Sequence, residues 1–334
     1  MADVLLEVNH LQTQFREGKT KRITAINDVT FQIRKGEIVG LVGESGCGKS
    51  VTSLSIMRLL QDTAGEITNG SVLLNGKNLL TLSEKEIKRV QGKQISMIFQ
   101  EPMTSLDPVL RIKKQMLEEI QLHMNLTKEK ALEHAADMLK MVGIPDVAQT
   151  LESYPFQLSG GMCQRVMIAM AMSCYPDLLI ADEPTTALDV TIQAQILDLM
   201  RELNRKNGMS ILLITHDLGV VAETCSRVIV MYAGRIVEQA DVQTLFQNPR
   251  HPYTRGLLAC LPRIGRRVES LPSIPGTVPS LNEMPEGCKF APRCRLATDL
   301  CREKEPELRD VEGCEGCQVR CWLAGQKEAK EALK

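Results

Sequence analysis

A glycine-rich stretch between an apolar run and a helical pattern constrains the fold of this chain most. The stretch Gly43–Ser50 (GESGCGKS) follows the apolar run Ile38 to Val42 and precedes the helix-like Val51 to Leu60. Its glycines let backbone N–H groups turn inward around phosphate oxygens, and the positive end of the following helix adds to the attraction. Lys49 would reach the β- and γ-phosphates, and Ser50 would offer its hydroxyl to Mg²⁺. The pattern predicts a strand, a phosphate-binding loop and a helix.

Short β-branched runs alternate with helical patterns from Val4 to about Gln239. Buried strands separated by helices indicate a mostly parallel sheet with helices on its faces, so we predict the α/β class. The predicted strands, besides Val4 to Val8, are Ile38 to Val42, Ile95 to Phe99, Leu178 to Ala181, Ile211 to Thr215 and Val228 to Tyr232.

Two segments depart from this alternation. Between Pro108 and Pro155 no strand pattern occurs, and helical spacing predicts a helical insertion, which we bound at about 103–175. Nine of the fifteen prolines lie between Pro249 and Pro306, so regular elements there must be short. We therefore predict a domain over 1–247 and a C-terminal extension over 248–334.

Charge and hydropathy narrow the classes of partner. The 334 residues carry 40 basic and 41 acidic side chains, which does not indicate a general nucleic-acid or anionic-membrane surface. No apolar stretch reaches the roughly 18 residues that span a bilayer, and the N-terminus lacks the basic and apolar regions of a signal peptide. We expect a cytosolic protein, or one held at a membrane through partners.

Two carboxylates follow the apolar run Leu178 to Ala181. Asp182 and Glu183 would lie at the carboxyl edge of the sheet, where α/β proteins bind ligands. Asp182 would hold Mg²⁺ and Glu183 would take a proton from an attacking water, although adjacent acids after a strand can equally be a solvated turn.

Three further positions are candidates beside these carboxylates. Ser159, Gly160 and Gly161 begin a helical pattern, where free N–H groups can approach a phosphate and Ser159 can serve as the N-cap. His216 ends the run Ile211 to Thr215, where its side chain could touch a phosphate oxygen. Gln100 follows Ile95 to Phe99 and could reach a metal and the attacking water.

In their order along the chain, these motifs resemble those of the ATP-binding subunits of ABC transporters. The resemblance implies an ABC-type nucleotide-binding domain with a RecA-like, mostly parallel sheet, an antiparallel β subdomain and a helical subdomain. Two such subunits face each other, so that each ATP lies between the phosphate loop of one and the Ser159–Gly161 signature of the other. The signature departs from the usual pattern at Met162 and Cys163. The loop contacts to ATP carried over are Gly43, Glu44, Ser45, Gly46, Cys47, Gly48, Lys49, Ser50 and Val51.

The resemblance assigns further roles. It makes Gln100 and His216 positioners of the γ-phosphate and water, and Ser50, Gln100 and Asp182 the Mg²⁺ ligands. The loop Thr186-Ala187-Leu188-Asp189 supplies Asp189 as a link across the dimer. The family stacks adenine on an aromatic near the N-terminus, for which Phe15 is the candidate; a core phenylalanine beside Val4 to Val8 is the alternative reading.

The extension resembles that of dipeptide, oligopeptide and nickel importers, and most of all the first of the two ATPase subunits of dipeptide importers. The matching segments are Asn248 to Thr254 and Gly287 to Cys294. This implies a heterodimer with a second ATPase, two membrane permease subunits, an extracytoplasmic peptide-binding protein, and a place on the cytoplasmic face of the inner membrane. A nickel importer, a soluble ABC ATPase and a redox or iron-sensing module are the alternatives.

Six of the eleven cysteines lie between Cys288 and Cys321. Such clustering in a reducing compartment favours a metal over disulfides, but the spacing is neither that of a zinc ribbon nor that of a standard ferredoxin. The resemblance implies a [4Fe–4S] cluster on Cys288, Cys294, Cys301 and Cys321, with zinc or free and paired thiols as alternatives. Cys314 and Cys317 compete with Cys321 for the place of the fourth ligand.

Overall fold

The computed structural model describes residues 3–18, 20–60, 63–185, 189–261 and 273–324. The chain divides into two compact units. Unit 1 comprises Met1–Leu6, Ile33–Ile38 and Leu73–Ile214, and unit 2 comprises Glu7–Gln32, Val39–Val72 and Thr215–Lys334. The predicted boundary near Asn248 lies inside unit 2 and stays a prediction.

The described residues form both strands and helices. The strands are β1 (Val4–Glu17), β2 (Lys21–Arg34), β3 (Ile38–Val42), β4 (Gly65–Leu74), β5 (Lys77–Asn78), β6 (Ile95–Ile98), β7 (Leu178–Asp182), β8 (Ser210–Ile214), β9 (Arg227–Tyr232), β10 (Arg235–Asp241), β11 (Arg309–Asp310) and β12 (Gln318–Val319). The helices are α1 (Lys49–Ile56), α2 (Glu84–Val90), α3 (Pro102–Ser105), α4 (Ile112–Met124), α5 (Lys128–Met141), α6 (Val147–Glu152), α7 (Gly160–Met172), α8 (Val190–Asn207), α9 (Leu218–Thr224), α10 (Val242–Gln247), α11 (Pro252–Ala259) and α12 (Asp299–Glu303).

Unit 1 contains a parallel sheet in which β7 lies between β6 and β8. All residues of these three strands are buried, which explains their nearly continuous apolar sequences. The five strands predicted after Val8 are confirmed to within one residue at each end. The predicted α/β class is confirmed as well.

The helical part of unit 1 is the predicted insertion. Helix α4 packs against α5 and α7. Ile112, Met116 and Ile120, which recur at helical spacing, are all buried on α4. Within the described residues, no strand lies between Pro108 and Pro155, as predicted.

Unit 2 carries the strand order β11-β12-β10-β9-β3. Strand β9 runs parallel to β3 and antiparallel to β10, and β12 pairs with β10 in antiparallel fashion. The segment after Asn248 therefore contributes two short strands to the sheet of this unit. Most residues of β1, β2 and β4 also belong to unit 2, where their order is β2-β1-β4.

The prediction of a short first strand was wrong. It ended at Val8, whereas β1 continues to Glu17. Buried positions along β1 alternate with half-buried polar ones, so the sequence lacks the continuous apolar run that identified the other strands.

No helix in the described ranges has the length and hydropathy needed to cross a membrane.

Candidate functional site

The loop between β3 and α1 has the backbone of a phosphate cradle. Gly43 and Gly48 have φ angles of 155° and 103°. A Cβ atom at Gly43 would lie 2.3 Å from the Met231 carbonyl oxygen, and one at Gly48 would lie 2.7 Å from Cγ2 of Ile26. Glycine is required at both positions, because the backbone passes too close to its neighbours for any side chain.

Lys49 begins α1 and lies under the loop. Its side chain is buried, with 6% exposure, and its Nζ donates to the carbonyl oxygens of Gly43 at 2.8 Å and Glu44 at 3.1 Å. The residue before it, Gly48, is the N-cap and provides no side-chain cap. The ammonium and the uncapped N–H groups of the first turn of α1 together favour an anion at this loop.

Glu183 and Gln100 meet at the carboxyl edge of the unit 1 sheet. Gln100 follows β6, Glu183 follows β7, and Gln100 Nε2 donates to Glu183 Oε2 at 3.2 Å. Glu183 has a φ of 47°, and its N–H donates to the Ile214 carbonyl at 2.9 Å. A left-handed glutamate costs free energy, and such conformations concentrate at functional sites.

Asp182 is the last residue of β7 and is only 3% exposed. A buried carboxylate has lost its contact with water, so it needs a cation or strong hydrogen-bond donors as partners. Asp182 and Glu183 are adjacent in sequence but differ in exposure to solvent, since Asp182 is buried and Glu183 is half-buried.

Helix α7 begins with the predicted signature. Ser159 Oγ accepts from Met162 N at 3.3 Å, which confirms the predicted N-cap. Ser159 and Gly160 are exposed, and open space surrounds the position of a Cβ at Gly160. The N–H groups of this helix start are thus accessible to an anion. The buried Gln164 also donates to the Pro184 carbonyl, which ties α7 to the turn after Glu183.

The remaining predicted residues have separate surroundings. His216 follows β8 and is exposed, and Asp189 caps α8 by accepting from Ile192 N at 3.0 Å. Phe15 lies in β1 and is half-buried, with its ring against Gly65, so it is not a core phenylalanine. Thr186, Ala187 and Leu188 lie outside the described residues.

The predicted nucleotide contacts divide between the two units. Unit 2 contains Phe15, the loop 43–51 and His216. Unit 1 contains the residues at the sheet edge and the helix starts: Gln100, Ser159, Gly160, Gly161, Asp182, Glu183 and Asp189.

Four thiols in unit 2 line one small cavity of about 10 Å³. They belong to Cys288, Cys294, Cys301 and Cys321, and Phe290 and Trp322 are among the other residues of the lining. Burial raises the pKa of Cys288 to about 11, and the neighbouring thiols add to this rise. Burial also raises the pKa of Cys294 and of Cys321. The thiols of Cys288, Cys294 and Cys321 are therefore protonated at neutral pH unless a cation replaces their protons.

Cys314 and Cys317 form a disulfide, which separates them from these four thiols. In the part of the chain that the structure describes, no group of three or more His, Cys, Asp or Glu side chains has an arrangement that could hold a metal ion. The four thiols thus share a cavity without the close spacing of a formed metal centre.

Sequence reasoning missed two residues that contact the phosphate loop. Arg293 pairs with the Glu44 carboxylate, and the Tyr253 hydroxyl accepts from Glu44 N. Both come from the segment after Asn248. Their position directly in or beside the family-like segments 248–254 and 287–294 was the only available signal.

Two models of protein families match this chain. A family model described as ABC transporter matches residues 26–186. A second, described as the C-terminal region of oligopeptide/dipeptide transporters, matches residues 237–301.

Relatives match over nearly the whole chain. A probable peptide ABC transporter ATP-binding protein of Sinorhizobium fredii, y4tR, is 53% identical over 97% of this chain and 96% of its own length. The oligopeptide transport ATP-binding protein AppD of Bacillus subtilis is 52% identical, with 98% and 99% covered. The dipeptide transport ATP-binding protein DppD of Escherichia coli is 49% identical, with 95% and 96% covered.

A solved structure supports the fold. The ATP-binding cassette MJ0796, in a dimeric post-hydrolysis state bound to ADP and Pi, is 27% identical, with a TM-score of 0.65, and covers 71% of this chain and 99% of its own. The predicted ABC cassette fold is confirmed by this likeness.

Proposed function

The chain belongs to the ATP-binding proteins of ABC transporters, and on this premise we propose that it hydrolyses ATP to drive the import of dipeptides or oligopeptides into a bacterial cell. The observation that carries the ATPase part is the loop Gly43–Ser50, in which two glycines stand where no side chain would fit and the buried Lys49 donates to the loop carbonyls. The peptide part rests on the named functions of relatives that match nearly the whole chain.

Each site residue has a proposed role in the hydrolysis of ATP. The loop residues and Lys49 bind the phosphates, and Phe15 stacks on adenine. Glu183 accepts a proton from the attacking water, while Gln100 and His216 position that water and the γ-phosphate. The bond from Gln100 to Glu183 supports this, because it orients the carboxylate of the base before substrate binds.

Magnesium fits the donors that the chain offers. Ser50, Gln100 and Asp182 carry hydroxyl, amide and carboxylate oxygens, the ligands that Mg²⁺ prefers. When bound, Mg²⁺ neutralises charge on the triphosphate. Asp182 is the donor best suited to it, since a buried carboxylate gains most from a cation.

A facing ATPase subunit would complete the site. We assign Ser159, Gly160 and Gly161 to the ATP held by that partner, and Asp189 to a link across the pair. The exposure of Ser159 and Gly160 at the start of α7 supports this assignment. The pair is a heterodimer with a second related ATPase, bound to two permease subunits that receive peptide from an extracytoplasmic binding protein. The complex would lie at the inner membrane, with this chain peripheral on the cytoplasmic face.

An iron–sulfur cluster is the proposed occupant of the thiol cavity. Cys288, Cys294, Cys301 and Cys321 provide the four thiolates that a [4Fe–4S] cluster requires, and zinc is the alternative for such a set. The convergence of all four on one apolar-lined cavity supports the proposal. Their close approach to the metal needs local movement, given the spacing described above. The cluster would supply cross-links for a proline-rich segment.

Transport in reconstituted membranes tests the function. The complex that co-purifies with the chain is placed in proteoliposomes with its binding protein, and uptake of a labelled dipeptide is followed after ATP addition. Lys49→Ala should abolish uptake, because the variant lacks the ammonium group that binds the phosphates of ATP. Lys140→Ala, which removes an exposed lysine of α5, is the matched control and should transport normally. Uptake that survives Lys49→Ala, or uptake of nickel in place of peptide, contradicts the proposal.

A further inference from the structure

The phosphate loop is held by an ion pair from the far end of the chain. Arg293 Nη1 and Nη2 donate to Glu44 Oε2 and Oε1 at 2.6 and 3.0 Å, across 249 positions of sequence. The Arg293 side chain is 4% exposed and that of Glu44 is 31% exposed. A bidentate pair with one buried partner fixes orientation as well as distance.

The guanidinium is itself held in place. Arg293 Nε donates to the Pro275 carbonyl at 2.9 Å, and Nη2 donates to the Ile274 carbonyl at 3.3 Å. Because these bonds hold Arg293 in place, Glu44 cannot move away without losing both hydrogen bonds of the ion pair.

A tyrosine provides a second contact to the same loop residue. The Tyr253 hydroxyl accepts from Glu44 N at 2.9 Å, and Tyr253 is fully buried. The Tyr253 ring packs against Tyr232 and Phe290, with ring centroids 4.7 and 5.4 Å apart. Both the backbone and the side chain of Glu44 are therefore fixed by residues of the extension.

The same residues reach the thiol cavity. Arg293 directly precedes Cys294, and Phe290 lines the cavity beside Cys288. Contacts from the cavity to the phosphate loop thus run through one short segment of unit 2.

We propose that the C-terminal extension positions the phosphate loop, with Arg293 and Tyr253 as positioning residues that act through Glu44, so that nucleotide affinity depends on the folded extension. This inference rests on the proposed ATP binding at Gly43–Ser50. Its physical basis is preorganisation: a loop already held in its binding conformation loses less entropy when it binds phosphate.

Nucleotide affinity of the full-length chain tests the inference. Arg293→Met and Glu44→Gln should each weaken binding of a fluorescent ATP analogue by on the order of 10-fold, a usual size for coupling between sites. The double variant should bind no more weakly than the weaker single variant, because both changes remove one interaction. Arg295→Met, at an exposed arginine two positions further on, is the matched control and should bind like wild type.

A second readout follows the loop directly. Cys47 lies in the loop and is fully buried, so its alkylation rate, measured by mass spectrometry of its peptide, reports loop opening. Arg293→Met and the milder Tyr253→Phe should raise this rate several-fold, while Arg295→Met should not. Wild-type melting temperature and metal content in the variants would exclude global unfolding as the cause.

The outcomes separate this inference from the proposed function. If the wild-type chain fails to bind the ATP analogue, the proposed function is wrong. If wild type binds, and folded Arg293→Met and Tyr253→Phe variants bind equally well with an unchanged Cys47 rate, the positioning role alone is overturned. If Arg293→Met does not fold, the other two variants decide. The positioning role is then overturned if Tyr253→Phe and Glu44→Gln bind the ATP analogue like wild type and show an unchanged alkylation rate at Cys47.

Discussion

At the scale of single residues, Glu183 is held in position by contacts of both its backbone and its side chain. Its φ of 47° turns the residue out of the line of β7, and its N–H is fixed by the Ile214 carbonyl on the neighbouring strand. Gln100, which follows strand β6 on the other side of β7, donates a hydrogen bond to the Glu183 carboxylate. A base whose backbone and side chain are both fixed needs little rearrangement before it accepts a proton.

Replacing Glu183 tests its role as the base. Glu183→Gln keeps the shape and an oxygen acceptor for Gln100 but cannot accept a proton, so ATP turnover should fall by roughly 10²- to 10⁴-fold. Binding of the ATP analogue should persist. Phosphate release and equilibrium binding are measured on the same preparations. Glu202→Gln, at an exposed glutamate of α8, serves as control. Turnover retained in Glu183→Gln would remove this residue from the role.

Glu119 gives the stability a pH dependence. Its carboxyl is half-buried on α4, and burial raises its pKa from 4.5 to about 7. The folded state therefore binds this proton more tightly than the unfolded state, so the contribution of Glu119 to stability is fully present below about pH 4.5 and is lost as pH rises through about 7.

Removal of this group should flatten that dependence. Glu119→Gln has no charge to bury and should be more stable than wild type at pH 8, by about 3 kcal/mol, and nearly equal to it at pH 4. Urea unfolding at both pH values measures the difference. Glu118→Gln, the exposed neighbour, should show no such change. An equal effect of Glu119→Gln at both pH values would contradict the argument.

Single residues also mark the limit of reading a site from sequence. Lys49, Glu183 and Gln100 were predictable because each directly follows a recognisable strand or glycine pattern. The contact between Arg293 and Glu44 was not, because 249 positions separate them and neither has a local pattern that names its partner. The disulfide of Cys314 and Cys317, which leaves Cys321 at the cavity, likewise depends on folded geometry.

At the scale of elements, α7 joins two parts of the proposed site. Its start carries Ser159 and Gly160 at the surface, and one turn further the buried Gln164 bonds the Pro184 carbonyl beyond Glu183. A shift of the helix therefore moves the turn next to Glu183, the proposed base. The element transmits position because its hydrogen bond is buried, which strengthens it relative to one exposed to solvent.

Gln164 should matter to both stability and turnover. Gln164→Leu keeps the volume but leaves the Pro184 carbonyl without this donor, which should cost about 1–3 kcal/mol in the free energy of unfolding. ATP turnover should fall, while affinity for the ATP analogue stays near that of wild type. Urea unfolding and steady-state kinetics are the measurements. Gln149→Leu on the exposed face of α6 is the control. Wild-type turnover in Gln164→Leu would separate α7 from the placement of Glu183.

Elements differed in how well the sequence predicted them. Strands β6, β7 and β8 are buried on both faces, so their composition alone identified them. Strand β1 carries Asn9, His10 and Gln12 between buried positions, and its half-exposed pattern hid its length. Its pairing in the order β2-β1-β4 is a long-range contact that no local window contains.

At the scale of the whole molecule, contacts of several kinds fix the extension after Asn248. Short strands β11 and β12, the three rings of Tyr232, Tyr253 and Phe290, and the ion pair of Arg320 with Asp28 at 3.0 Å hold it. Proline-rich segments bury little apolar surface, so cross-links contribute a large share of their stability. The thiol cavity is the place where such a cross-link would act.

Removal of one thiol tests whether a metal centre stabilises the extension. Wild-type chain purified without oxygen should contain about four iron and four sulfide per chain, as a Cys₄-bound cluster requires. Cys321→Ser should lose most of this iron and become more sensitive to trypsin within the extension, because the fourth ligand is gone. Cys317→Ser and Cys174→Ser should keep it, since neither side chain lines the cavity. Metal analysis and limited proteolysis decide the matter: zinc in place of iron would change the identity of the centre, and a metal-free wild type with a protease-resistant extension would show that packing alone holds this segment.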